Sequence, residues 1–204
     1  TETDSSGLIS KYVGETASKT LNKINDAMGG VLFIDEAYSL TQSTDNGTAG
    51  YGDEAVAVLL KQMEDRRGQF CVILAGYKDE MGVFISMNPG FSSRIQFSLE
   101  FPDYTKEELS EIAQRFLQRK KYTIDDDALA LVLDIVEYDR LRPNFANART
   151  VRNILEQVIM NQNLRTDEEG VTDSAIIRSD VQDYLEDENI DLNSTAGQTR
   201  RIGF

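Results

Sequence analysis

The stretch Val-Leu-Phe-Ile-Asp-Glu-Ala, residues 31–37, constrains this chain more than any other. A short apolar run, opened by Gly29-Gly30 and closed by adjacent acids, reads as a strand buried on both faces of a parallel sheet. Ligands of open α/β sheets bind beyond the carboxyl ends of the strands. Asp35 and Glu36 therefore stand where a divalent cation and a polarised water are useful to phosphoryl chemistry. The plainer alternative is a strand that happens to end in two solvated acids, and the rest of the chain has to decide between them.

Around that strand, the pattern alternates. Residues 17–28 place Ala17, Leu21, Ile24, Ala27 and Met28 on one helical face. A polar, glycine-rich stretch after the strand, residues 39–53, lacks the Lys-Ser/Thr of a phosphate cradle and reads as a surface loop. A helix over 53–66 follows, with Ala55, Val56, Leu59, Leu60 and Met63 as its stripe. Residues 70–77, Phe-Cys-Val-Ile-Leu-Ala-Gly-Tyr, predict a second buried strand, with Cys71 as a small core hydrophobe. A short helix over 79–86 is stopped by Asn88-Pro89-Gly90, and Arg94 precedes a third strand over 95–101. Strands alternating with helices indicate an α/β layer with a parallel sheet.

Pro102-Asp103 changes the regime, and beyond it only helical patterns occur. Thr105 and Glu108 form a capping box ahead of Leu109, Ile112, Ala113, Phe116 and Leu117. Three aspartates open a helix over 125–138, where the positive end of the dipole favours them. A longer helix over 146–163 buries Val151, Ile154, Leu155 and Val158, and Ser179 with Gln182 would cap a fourth. The expected division is an α/β core over 1–101, a helical subdomain over 102–187, and a polar, disordered tail over 188–204.

Composition removes several classes of function. A net charge of -14 over 204 residues leaves no excess of cations to neutralise nucleic-acid phosphates. The absence of histidine excludes imidazole bases, His-based triads and His-ligated zinc. A lone cysteine excludes a disulfide framework within the chain, and no apolar run reaches the length of a membrane span. The expectation is a cytoplasmic protein without nucleic-acid or membrane partners.

Seven stretches in this order carry a resemblance: YVGET, AMGGVLFIDEAYSL, YGDEAV, ILAGYKDEM, NPGFSSRI, FPDYT and FANARTVRN. Over roughly residues 7–187 the chain resembles the AAA+ ATPases, and within them the family of the red-type Rubisco activase CbbX and the stage V sporulation protein SpoVK. The resemblance implies ATP and Mg²⁺ as cofactors, a homo-oligomeric ring, hexameric in the complete protein, and a protein substrate to be remodelled. It makes 31–37 a Walker B strand, with Asp35 holding Mg²⁺ through water and Glu36 polarising the attacking water. Arg94 is similar to an arginine finger offered to a neighbour's ATP, with a surface salt bridge as its plainer reading. Arg149 looks like sensor 2, with Arg152 as the competing choice. Tyr77 stands where many relatives carry a sensor 1 asparagine. Tyr12-Val13-Gly14 is similar to a pore loop, where an aromatic beside a small residue grips varied polypeptide.

One motif of that family does not occur in these residues. Gly-x-x-x-x-Gly-Lys-Ser/Thr, the phosphate-binding loop, is absent. The expectation is therefore the C-terminal part of a longer ATPase that does not hydrolyse ATP by itself. A non-catalytic module that binds partner proteins, or completes a neighbour's site through Arg94, is the alternative. Removing a central strand would also leave residues 70–76 and 95–101 with unpaired backbone and exposed apolar faces.

Overall fold

The computed structural model describes residues 1–12, 14–41, 51–142 and 145–192. These fall into two compact units, residues 1–100 and 101–204.

Unit 1 is built on a parallel three-stranded sheet in the order β1-β2-β3. The strands are β1 (Glu2–Thr3), β2 (Val31–Ile34) and β3 (Cys71–Leu74). Helices α1 (Ser5–Leu8) and α2 (Thr16–Asp26) lead into β2. The segment between β2 and β3 contains α3 (Tyr51–Asp65), and α4 (Lys78–Met87) and α5 (Pro89–Ser92) follow β3. Register pairs Ile34 with both Thr3 and Leu74, so all three carboxyl ends lie along one edge.

Strand β1 was not legible, because two residues carry no periodicity. It exists through pairing: Phe33 N–H donates to Thr1 O and Asp35 N–H to Thr3 O, both at 2.9 Å. The core contains Leu8, Ile24, Leu32, Ile34, Leu40, Val56 and Leu59, closed by Phe84 and Phe91 with ring centroids 5.2 Å apart. Gly52 is required where α3 meets Leu40, since a Cβ there would lie 1.6 Å from the Leu40 carbonyl oxygen.

Several expectations need correction. The buried face of α2 centres on Thr16, Thr20 and Ile24 instead of Ala17 and Leu21. Both threonines tolerate burial because they are hydrogen-bonded. Thr20 Oγ1 donates to Leu8 O at 3.1 Å, and Thr16 Oγ1 accepts from Ser10 N–H at 3.1 Å. Strand β2 is buried on one face only, through Leu32 and Ile34, with Val31 exposed. Strand β3 has no fully buried residue, and Cys71 is exposed. The glycine-rich stretch is helical from Tyr51, while residues 42–50 lie outside the described residues.

The strand expected over 95–101 does not form. A strand is made by its partners, and these residues pair with neither edge of the three-stranded sheet. Phe97, Leu99 and Phe101 are instead 82%, 81% and 90% exposed. Exposed apolar side chains gathered in one short segment favour association with another chain. Phe97→Ser combined with Leu99→Ser is expected to reduce self-association while changing stability by no more than about 0.5 kcal/mol. Light scattering with a thermal melt checks this, and unchanged scattering together with a lowered Tm would show that the segment is packed in solution.

Unit 2 is a helical layer of α6 (Lys106–Lys120), α7 (Asp126–Arg140), α8 (Ala148–Glu169) and α9 (Arg178–Asp187). A parallel pair of two-residue strands, β4 (Thr123–Ile124) and β5 (Ala175–Ile176), ties its connections together. The Thr105–Glu108 capping box is present, each side chain bonding the other's backbone N–H. Val132, Ile135, Val136, Ile154, Leu155 and Val158 form the core.

Helix α9 is capped differently from the Ser179–Gln182 expectation. Asp180, fully buried, accepts the Ile177 N–H at 2.9 Å and also receives Arg165 Nε at 2.7 Å and Nη2 at 3.2 Å. Ile190 and Leu192 pack against the same core, and residues 193–204 of the expected tail lie outside the described residues.

Candidate functional site

The carboxyl edge of the unit 1 sheet gathers four of the residues singled out from sequence or adjoining them. Asp35 and Glu36 follow β2 directly, and Tyr77 follows β3 by three positions. Ladder bonds continue past the strands, with Ala75 N–H donating to Ile34 O and Ala37 N–H to Ala75 O, both at 2.9 Å. The acids and Tyr77 are thereby held at one edge by backbone geometry.

Glu36 adopts the left-handed conformation, φ 46° and ψ 46°. That region is uncommon for residues other than glycine and costs free energy, so surrounding contacts must hold it. Those contacts are the Ala37–Ala75 bond, Ser39 N–H donating to Glu36 O at 2.8 Å, and Asp35 Oδ1 accepting the Glu36 N–H at 3.0 Å. The reversal ends the strand and turns the chain into the short helical turn Ala37–Leu40. Both acids remain exposed.

Tyr38 is a neighbour that sequence reasoning missed. Its ring lies 6.3 Å from that of Tyr77. Its phenol is pushed above the usual range, first by desolvation and then by the charges of Glu36, Tyr77 and Glu80. The only sequence signal for it is its position two residues after the acids. Gly76 keeps the edge open, since a Cβ there would come within 2.8 Å of the Tyr38 ring and 2.9 Å of Met81.

Arg94 lies just beyond α5 and is engaged within its own unit. Nη2 pairs with Glu64 at 3.2 Å, and Nη1 donates to Gly90 O at 3.0 Å and Ser93 Oγ at 3.1 Å. Its Nε is buried without a partner among the described residues. The salt-bridge geometry is therefore what this structure holds, and Glu64 is a second residue that the sequence did not flag.

Tyr12 is 71% exposed, and Gly14 has φ 81°, a conformation suited to glycine. The preceding turn is braced, with Ser10 Oγ donating to Glu15 and accepting the Tyr12 N–H at 3.2 Å. Val13 lies outside the described residues.

In unit 2, Arg149 and Arg152 occupy the first two turns of α8, both exposed and without a side-chain partner among the described residues. Asn147 sets up this helix start. Held at φ 52° and ψ -121°, it donates to Asp103 Oδ1 at 2.8 Å and accepts the Tyr104 N–H at 3.0 Å. Sequence reading treated it only as part of a motif.

The donor chemistry fits Mg²⁺. That ion takes one or two carboxylates and fills its remaining positions with water and phosphate oxygens. Asp35 supplies an exposed carboxylate of this kind, and no cluster of three or more metal-ligating side chains occurs among the described residues. No described helix is long and apolar enough to cross a membrane.

Comparison with known proteins gives two family matches in chain order. Residues 1–103 match the ATPase family associated with various cellular activities (AAA), and residues 105–194 match the AAA lid domain. Protein CfxQ of Xanthobacter flavus is 47% identical over 163 residues, which are 80% of this chain and 51% of that protein. Protein CbbX of Cereibacter sphaeroides is 45% identical over 155 residues, 76% of this chain and 50% of that protein. The chain thus spans about half the length of these relatives. Among solved structures, Thermotoga maritima RuvB, a Holliday junction branch migration motor, superposes with a TM-score of 0.64 at 20% identity. It covers 94% of this chain and 53% of RuvB, and at that identity the likeness concerns the fold alone. A parallel sheet ending in adjacent acids, a helical lid unit and these matches together show that the chain belongs to the AAA ATPases, within the CfxQ/CbbX family.

Proposed function

We propose that this chain is the C-terminal portion of an AAA+ ATPase whose complete, ring-forming protein couples ATP hydrolysis to remodelling of a protein substrate. The observation that carries this reading is the pair Asp35–Glu36 at the carboxyl edge of a parallel sheet, with Glu36 in a strained left-handed turn. Mg²⁺, when bound, supplies charge neutralisation for the nucleotide phosphates. Asp35 would hold it, and Glu36 would accept a hydrogen bond from the attacking water and orient it. Tyr77 offers a hydroxyl near the same edge. Arg94, released from Glu64, reaches the nucleotide of a neighbouring subunit, and Arg149, which has no ion-pair partner among the described residues, takes the sensor 2 role.

A protein substrate is preferred over nucleic acid on charge. RuvB is a Holliday junction motor, but a net charge of -14 gives this chain no electrostatic footing on phosphate backbone. Tyr12, exposed on a braced turn, supplies the grip. In the full-length protein, Tyr12→Ala is expected to keep ATP turnover within about twofold while abolishing substrate-stimulated turnover and remodelling, because it touches no nucleotide group. Retained remodelling would remove Tyr12 from the mechanism. A full-length protein without ATP turnover that nonetheless stimulates a partner ATPase through Arg94 would instead support the non-catalytic reading.

A further inference from the structure

Glu64, near the end of α3, holds two cations at once. Arg94 Nη2 lies 3.2 Å from Glu64 Oε2, and Arg67 Nη2 donates to both oxygens of the same carboxylate at 3.1 Å. The two arginines differ in their surroundings. The Arg67 side chain is 73% exposed, whereas that of Arg94 is 26% exposed. Arg94 also donates through Nη1 to Gly90 O and Ser93 Oγ, yet its Nε is buried with no partner among the described residues.

A guanidinium is best used when two parallel N–H groups meet two oxygens, as a carboxylate or a phosphate presents them. Arg94 takes less than that from Glu64. One nitrogen meets one oxygen, and the unmet donor beside it carries its own desolvation cost. Glu64 loses little when Arg94 departs, because Arg67 still holds both of its oxygens. The contact keeps Arg94 inward, but it is weak on one side and replaceable on the other.

We propose that Glu64 is a positioning residue that withholds Arg94 from a neighbouring subunit's nucleotide until that phosphate is present, with Arg67 as the alternative cation that lets the carboxylate release it. This role rests on the finger role given to Arg94 above. A γ-phosphate offers more oxygens and more charge than one carboxylate, so it can satisfy the idle Nε together with an Nη. Holding Arg94 inward lowers the fraction of molecules competent to complete a neighbour's site, and turnover falls with that fraction. Hydrolysis is thereby tied to assembly around a loaded neighbour.

The two partners of Glu64 give opposite expectations. Glu64→Gln removes the charge that holds Arg94 and keeps the shape. Arg67→Gln leaves Arg94 as the remaining ion-pair partner of Glu64 among the described residues, which tightens the hold. ATP turnover of the full-length protein is measured at protein concentrations below saturation of assembly. Glu64→Gln is expected to raise it about threefold and Arg67→Gln to lower it about threefold, the scale of a partly exposed ion pair. Arg67 stands far enough into solvent that its variant is a test whatever Glu64→Gln does to the fold. In the present chain, nitrogen relaxation at Arg94 Nε should report a mobile guanidinium in Glu64→Gln and an ordered one in the parent and in Arg67→Gln. Unchanged or lowered turnover in Glu64→Gln, effects of the same sign from both variants, or an Arg94 side chain equally ordered with and without the Glu64 charge would overturn the proposal. Arg94→Ala separates this role from the finger itself. Lost turnover there, with Glu64→Gln unchanged, removes only the withholding role, whereas retained turnover removes the finger and the withholding role together.

Discussion

Glu36→Gln in the full-length protein is expected to lower ATP turnover about a hundredfold or more while leaving ATP affinity nearly unchanged, the usual scale for losing a general base or water-orienting carboxylate. The substitution is nearly isosteric, so the left-handed turn at Glu36 and its bonds through Ala37 and Ser39 can persist. What changes is the acceptor strength of one oxygen towards the attacking water. Because that contact matters in the transition state more than in the bound ground state, the loss should fall on turnover and not on binding. Asp35→Asn should act differently, weakening Mg²⁺-dependent nucleotide binding, since its assigned role is towards the cation. Steady-state turnover beside equilibrium nucleotide binding separates the two. Full activity in Glu36→Gln would sink the assignment of that residue.

Asp180→Ala is the expected large stability loss. The carboxylate is fully buried and satisfies three donors, two from Arg165 and one from the backbone of Ile177. Truncation leaves an unmet N–H at the start of α9 and a guanidinium whose side chain is only 18% exposed. Removing one member of a buried pair costs about 3–5 kcal/mol, and the remaining exposure of Arg165 places the loss near the lower end. For a unit of this size, about 3 kcal/mol corresponds to a fall in Tm of at least about 10 °C. Arg165 also donates to Ala175 O at 3.1 Å, linking α8 to β5, so the pair fastens the C-terminal part of unit 2 to its long helix. Calorimetry on Asp180→Ala and Asp180→Asn checks this. Asparagine keeps an acceptor for Ile177 and should recover part of the loss; a melt unchanged in both variants would refute the role.

Much of the architecture was legible because its signals are local. The helical stripes of α3, α6, α7 and α8 repeat at helical spacing over many residues, and the Thr105–Glu108 box is written within four positions. The apolar runs marked β2 and β3 for the same reason. What local patterns could not supply was the neighbour. Residues 95–101 have strand composition yet stay unpaired, and Glu2–Thr3 have none yet pair in register with Phe33 and Ile34. Burial likewise depended on partners. Cys71 in an apolar run is exposed, whereas Thr16 and Thr20 are buried because Ser10 and Leu8 satisfy them.

The candidate site divides along the same line. Asp35 and Glu36 could be named from residue type and order, and Tyr77, Arg94, Arg149 and Tyr12 from the family resemblance. The parts played by Tyr38, Glu64 and Asn147 could not, since each rests on a contact made across the fold or on an unusual backbone angle.

By itself, the sequence determined the class of fold and the chemistry on offer. Period and order are properties of a chain, and a strand followed by two acids presents them at a sheet edge wherever that strand is placed. Only tertiary structure decided the left-handed turn that ends β2 at Glu36 and the Glu64 carboxylate that holds Arg94. Each of these joins residues distant in sequence or spends conformational energy that only surrounding packing can supply, and no local pattern records either.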